Sequence, residues 1–111
     1  MTVYKSSASG SGPINATHVV PVGKTYQLVS VSLNMSAAPT TSENFVIALD
    51  AQAGAAYDVT LYSLDLSTAS TTDVFWWPDQ TTYLHGGDAV DVTYTNTDGR
   101  TYGAQITVRE A

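Results

Sequence analysis

The sequence predicts an all-β fold: one antiparallel β-sandwich domain, jelly-roll-like, with almost no helix. Three observations carry this. Apolar and polar residues alternate with period two in at least five segments; nowhere does a 3.6-residue apolar period hold; and Gly, Pro, Asn and Asp break the chain at regular spacing into about seven or eight short strands. Alternation with one apolar side fits sheets that bury one face and wet the other. With 111 residues the chain fits a single domain, large enough to bury roughly two-thirds of the surface its unfolded chain exposes.

Residues 1–12 read as a flexible N-terminal arm, and 13–111 as the sandwich. Ser6 to Gly12 holds only Ser, Ala and Gly, so it offers little apolar area against the backbone entropy lost on ordering. Val3, Tyr4 and Lys5 form a contact tip ahead of it. From Ile14 onward strands and turns follow. Pro21 and Gly23 end an apolar run from His18. In 25–35, Val29, Val31, Leu33 and Met35 share one face, and Ser30, Ser32 and Asn34 the other. Phe45, Ile47 and Leu49 alternate next. Tyr57, Val59 and Leu61 do so against Asp58 and Thr60. Val74 to Trp77 is a short aromatic strand stopped by Pro78-Asp79. Thr82 to Leu84 reads as a brief edge strand, and Gly86-Gly87-Asp88 as a tight turn. Val90, Val92 and Tyr94 follow. Asn96-Thr97-Asp98-Gly99 signals a hairpin, leading to Tyr102, Ala104, Ile106 and Val108. The predicted core is Val29, Val31, Leu33, Phe45, Ile47, Leu49, Val59, Leu61, Val90, Val92, Ile106 and Val108.

Charge narrows the partners. The net charge is −6, with Lys5, Lys24, Arg100 and Arg109 as the only basic residues. Phosphate neutralisation needs clustered Lys and Arg, so no nucleic-acid partner is expected, and no anionic membrane surface. No stretch has the ~20 apolar residues of a membrane helix, and MTVYKSSASGSG lacks the apolar run of a signal peptide. Without cysteine there are no disulfides and no thiolate metal sites.

Catalytic patterns are missing. The only histidines, His18 and His85, stand in no nucleophile motif and have no metal-ligand spacing. No calcium-loop spacing occurs; Asp88 and Asp98 read as turn residues. Eight Asp and two Glu allow carboxylate pairs of no specificity. The expectation is no enzyme, no cofactor and no metal. The aromatics are more informative. On a strand, Trp76 faces opposite to Phe75 and Trp77, so at least one ring points away from the core, as interface or sugar-stacking residues do. Candidate interface residues are therefore Val3, Tyr4, Lys5, Phe75, Trp76 and Trp77.

From Gly23 to Glu110 a run of segments carries a resemblance: Thr-Ser-Glu-Asn-Phe (41–45), Ala-Gly-Ala-Ala-Tyr-Asp (53–58), Phe-Trp-Trp-Pro-Asp-Gln (75–80), Gly-Gly-Asp-Ala-Val (86–90) and Asn-Thr-Asp-Gly-Arg-Thr-Tyr-Gly (96–103). It resembles small β-sandwich proteins of tailed bacteriophage virions, some of which serve as capsid decoration or cement proteins. That resemblance implies a non-enzymatic virion component on the capsid surface, with the major capsid protein as partner and a homotrimer as the expected assembly. It implies no catalytic residues. The alternative is a carbohydrate-binding β-sandwich or another tail- or fibre-associated structural protein, with Trp76 or Trp77 as a stacking platform.

Overall fold

The computed structural model describes residues 2–111. Nine strands form two antiparallel sheets: β1 (Val3–Gly10), β2 (Ile14–Val19), β3 (Thr25–Met35), β4 (Asn44–Asp50), β5 (Val59–Asp65), β6 (Asp73–Trp76), β7 (Tyr83–His85), β8 (Ala89–Tyr94) and β9 (Tyr102–Glu110). The first sheet runs β1-β9-β3-β6, with β7 following β6 along the same edge of β3; the second runs β2-β8-β4-β5. With β6 and β7 counted as one interrupted strand, this is the eight-strand order of a jelly roll. The predicted sandwich stands.

Chain crossings between the sheets follow from this order. The Asn96–Gly99 turn forms as its residues demand, with Gly99 at φ 64° and its N–H bonded to the Asn96 carbonyl. It does not make a hairpin. It carries the chain from β8 in one sheet to β9 in the other, so the turn chemistry is right and the expected pairing is corrected.

The core lies between the sheets and includes Val31, Leu33, Phe45, Ile47, Val90, Val92, Ile106 and Val108. Of the other expected core positions, Leu49 and Leu61 are partly buried and pack against this core, whereas Val29 and Val59 do not join it; two bulges set the faces. In β3 the pairing runs Leu28↔Val108 and then Ser30↔Thr107, leaving Val29 as an extra residue. Tyr26 and Leu28 therefore face inward before the bulge, Val31 and Leu33 after it, and Val29 is only half-buried. In β5, Ile47↔Tyr62 is followed by Ala48↔Thr60, so Leu61 is the extra residue. Tyr62 and Leu64 pack on the core. Val59, at the start of β5 beyond the bulge, is 50% exposed.

Of the arm expected over 1–12, Met1 lies outside the described residues, and most of the rest is strand instead. Val3–Gly10 is strand β1, in unbroken register with β9 from Val3↔Arg109 to Gly10↔Tyr102. Composition misled because this strand is held by backbone pairing, which needs no apolar side chain. Three inward residues add to it. Tyr4 stacks on Tyr26 with centroids 5.3 Å apart, Ser6 Oγ lies 2.6 Å from His18 Nδ1, and Ala8 packs on the core.

The two ends of the sandwich differ. At one end the loops are tied by side chains. Asp98 accepts the backbone N–H groups of Thr40 (2.6 Å) and Thr41 (3.0 Å) and both their hydroxyls. Glu43 holds Thr97, and Asp65 holds Ser42, Ser67 and Thr68. Buried Asn96 donates from Nδ2 to the carbonyls of Gly12 (2.8 Å), Arg100 (3.0 Å) and Ser11 (3.3 Å). At the other end Asp88 accepts from His85 and Gln52, Gly87 turns at φ 90° against the Gln52 side chain, and Val22 stands 93% exposed.

Two measurements check this account. Leu28→Ala should destabilise by about 2–5 kcal/mol in urea unfolding, whereas Val29→Ala, one residue away, should cost about 1 kcal/mol or less; equal costs would contradict the bulge. Acid should probe the tied loops. The Thr41 hydroxyl and the Thr41 and Thr40 amides hold the Asp98 carboxyl down to about 2. A depressed carboxyl stabilises the fold above its unfolded value near 3.9 and loses that contribution as pH falls through its folded value. Melting temperature should therefore fall between about pH 4 and pH 2, with a shallower slope in Asp98→Asn.

Candidate interaction surface

Paired residues of neighbouring strands share a face, so the register builds the outer face of the first sheet row by row. One row is Val3, Arg109, Gln27 and Tyr83. The next begins with Lys5 and Thr107 and reaches Ser30. A third is Ser7, Gln105, Ser32 and Phe75, and a fourth Ser9, Gly103, Asn34 and Asp73. Trp77 follows Trp76 out of β6 and shares the outer side with Phe75.

This face carries much of the exposed apolar surface. Phe75 is 66% exposed, Trp77 60%, Tyr83 57% and Val3 55%. Phe75 and Trp77 lie with ring centroids 5.7 Å apart at 47°. Phe75, Trp77 and Tyr83 form an aromatic column along the β6–β7 edge, and Val3 and Lys5 stand on the opposite edge, roughly 14 Å away across three strand spacings. The ground between is polar. Arg109 Nε donates to Gln27 Oε1 at 2.9 Å, and Asn34 Nδ2 donates to Asp73 at 2.6 Å. Gly103, with no side chain, leaves a shallow depression of about 410 Å³ bordered by Ser7, Ser9, Ser32, Asn34 and Gln105.

The six residues singled out from sequence thus divide. Val3, Lys5, Phe75 and Trp77 come to one outer face. Tyr4 and Trp76 point to the inner side: Tyr4 onto Tyr26, with its hydroxyl donating to Glu110 at 3.0 Å, and Trp76 onto Tyr62, centroids 6.0 Å apart at 30°. The Tyr62–Trp76 stack caps the side of the sandwich where β5 and β6 are both edge strands. Beside it lies a groove of about 420 Å³ lined by Leu61, Tyr62, Phe75, Trp76, Trp77 and Asp79. Tyr83 and Arg109 were not singled out. Alternation of Tyr83 with Leu84 in the short segment 82–84 was the available signal for the first.

Ser6 and His18 form a serine–histidine pair, but Nδ1 faces the serine, and the buried Nε2 has no partner to orient the ring. Burial pushes the His18 imidazole down. The pair joins β1 to β2 across the sheets. Among the described residues, no group of three or more His, Cys, Asp or Glu is placed to hold a metal ion.

The chain matches no protein-family model and no curated protein sequence. Among solved structures it is similar to a chain in the acidic stable capsid structure of Helicobacter pylori bacteriophage KHP30, with TM-score 0.58 and 14% identity over 98% of this chain and 88% of that one. At that identity the likeness is one of fold. Weaker overlaps with the Agl-KA catalytic domain (TM-score 0.43, 19% identity, 95% of this chain and 21% of that one) and with tomato aspermy virus (TM-score 0.29, 9% identity, 99% and 78%) carry no argument.

The split among the aromatics is measurable. Trp77→Ser and Phe75→Ser should shift stability by no more than about 0.5 kcal/mol, whereas Trp76→Ala should cost about 2 kcal/mol or more through the lost contact with Tyr62 and the core. Acrylamide should quench the fluorescence that remains in Trp76→Phe, where only Trp77 is left, far more than that of Trp77→Phe. Equal quenching would mean that the faces are reversed.

Proposed function

We propose that this chain is a non-enzymatic structural protein of a phage virion, bound to the outer surface of the capsid and stabilising it, with the major capsid protein as its partner. The observation that carries the reading is the outer face of the first sheet. A sheet with one face in the core should be polar on the other, yet this one exposes Phe75, Trp77, Tyr83 and Val3 together. Aromatic anchors on a polar ground are the composition of a protein interface. Two further points support it. The jelly roll is shared with a chain of similar length in a phage capsid structure, and the sequence segments resemble small phage virion proteins. Such binding works through area: a small domain laid across neighbouring shell subunits adds contacts that must break before the shell opens.

A second reading, carbohydrate binding, is favoured by the groove beside Trp76 and Trp77, where aromatic rings stand next to the Asp79 carboxylate.

Both are tested with purified particles lacking the chain. Added protein should bind in a fixed ratio to shell subunits and raise the temperature at which the shell opens. A variant with Phe75→Ser, Trp77→Ser and Tyr83→Ser should keep its own melting temperature and bind at least about tenfold more weakly, a loss of about 1.4 kcal/mol. Undiminished binding by this variant would reject the docking face. Saturable quenching of Trp77 by oligosaccharides, with no particle binding, would establish the second reading instead.

A further inference from the structure

We propose that the free edge of β1 is a self-association site, where the β1 strand of a second copy of this chain pairs antiparallel across a two-fold axis. This inference goes beyond shell binding and does not depend on it.

Four strand edges end the two sheets, and three are blunted. The β6–β7 edge is cut by the excursion at Pro78 into pieces of four and three residues. β5 is bulged at Leu61. β2 is six residues long and lies between Pro13 and Pro21. Proline, bulges, shortness and charged side chains are devices by which proteins prevent edge pairing. β1 has none of the first three and a single charge, Lys5. Its eight residues pair with β9 without a register shift, and it contains no proline and no acidic residue.

Hydrogen-bond parity shows which groups are free. The Glu110 N–H donates to the Thr2 carbonyl at 3.0 Å, so the even-numbered residues of the strand bond to β9. In an antiparallel ladder the alternate residues point their N–H and C=O the other way. Val3, Lys5, Ser7 and Ser9 therefore offer a row of backbone donors and acceptors along an uncovered edge, and all four are exposed.

The occupant that fits is a second copy. With Lys5 opposite Ser7 of the other chain and Val3 opposite its Ser9, the row is self-complementary, gives about eight backbone hydrogen bonds, and sets no like charges face to face. Two molecules of charge −6 repel, but β1 itself carries Lys5 and no acidic residue, and its neighbours on β9 include Arg109 as well as Glu110. The contact is isologous and closes as a dimer, unlike the trimer expected from the resemblance.

The test is the oligomeric state of the full chain by sedimentation equilibrium. We expect a concentration-dependent dimer, and a weakening of about tenfold or more in Ser7→Pro, which deletes an outward N–H and leaves the bonds to β9 intact. If Ser7→Pro fails to fold, hydrogen exchange on the unaltered chain decides: the amides of Lys5, Ser7 and Ser9 should slow as concentration rises. A monomer up to about 1 mM, a trimer, a dimer untouched by a folded Ser7→Pro, or exchange at those amides independent of concentration would each overturn the proposal.

Discussion

The first sheet depends on the pairing of β3 with β9. β3 is the longest strand, eleven residues, and it bonds to β9 on one side and to both β6 and β7 on the other. β9 in turn is the strand to which β1 is hydrogen-bonded. Residues from the first third of the chain must therefore find the last ten before the β1 edge can form. Most of the tertiary contacts are of this long-range kind, which sets a high entropic cost on early structure and a cooperative gain once the central pair is in place. The bulge at Val29 sits within that pair. It reverses which residues face inward along β3, so the inner positions of the sheet on either side of it follow from one extra residue.

Fold class was legible because alternation is a direct record of one-sided burial. Val31 and Leu33, Phe45 and Ile47, Val90 and Val92, and Ile106 and Val108 all show it without interruption, and all are buried. Legibility failed where parity breaks. Nothing in Leu28-Val29-Ser30 says that the strand carries an extra residue there, since three apolar or small residues satisfy either register. β1 failed for a different reason. Its stability resides in main-chain bonds to β9, and a ladder of backbone groups leaves no trace in side-chain composition. The Asp98-Gly99 turn was legible as a turn but not as a crossing, because turn chemistry is local and sheet membership is not.

The outer surface was half legible. A run of three rings on a strand must send some of them outward, and Phe75 and Trp77 do stand exposed while Trp76 is turned inward onto Tyr62. That Val3 and Lys5 would lie on the same face could not be read, because it depends on β1 being a strand of the same sheet. The polar loops had a visible basis in Asp, Asn, Ser and Thr content. Their specific ties, such as Asp98 to Thr40 and Thr41, join segments nearly sixty residues apart.

The bond between Thr2 and Glu110 brings the two ends of the described chain to one corner. Tension applied between those ends would open β1 from β9 like a zipper, loading one rung at a time instead of shearing all rungs together. Strand separation under such a pull is mechanically soft, however firm the rest of the sandwich. Tension between the aromatic column and the tied loops would run through β3 and the core and spare that seam. The same molecule is thus compliant along one axis and stiff along another, and the direction in which a neighbour pulls decides which response it meets.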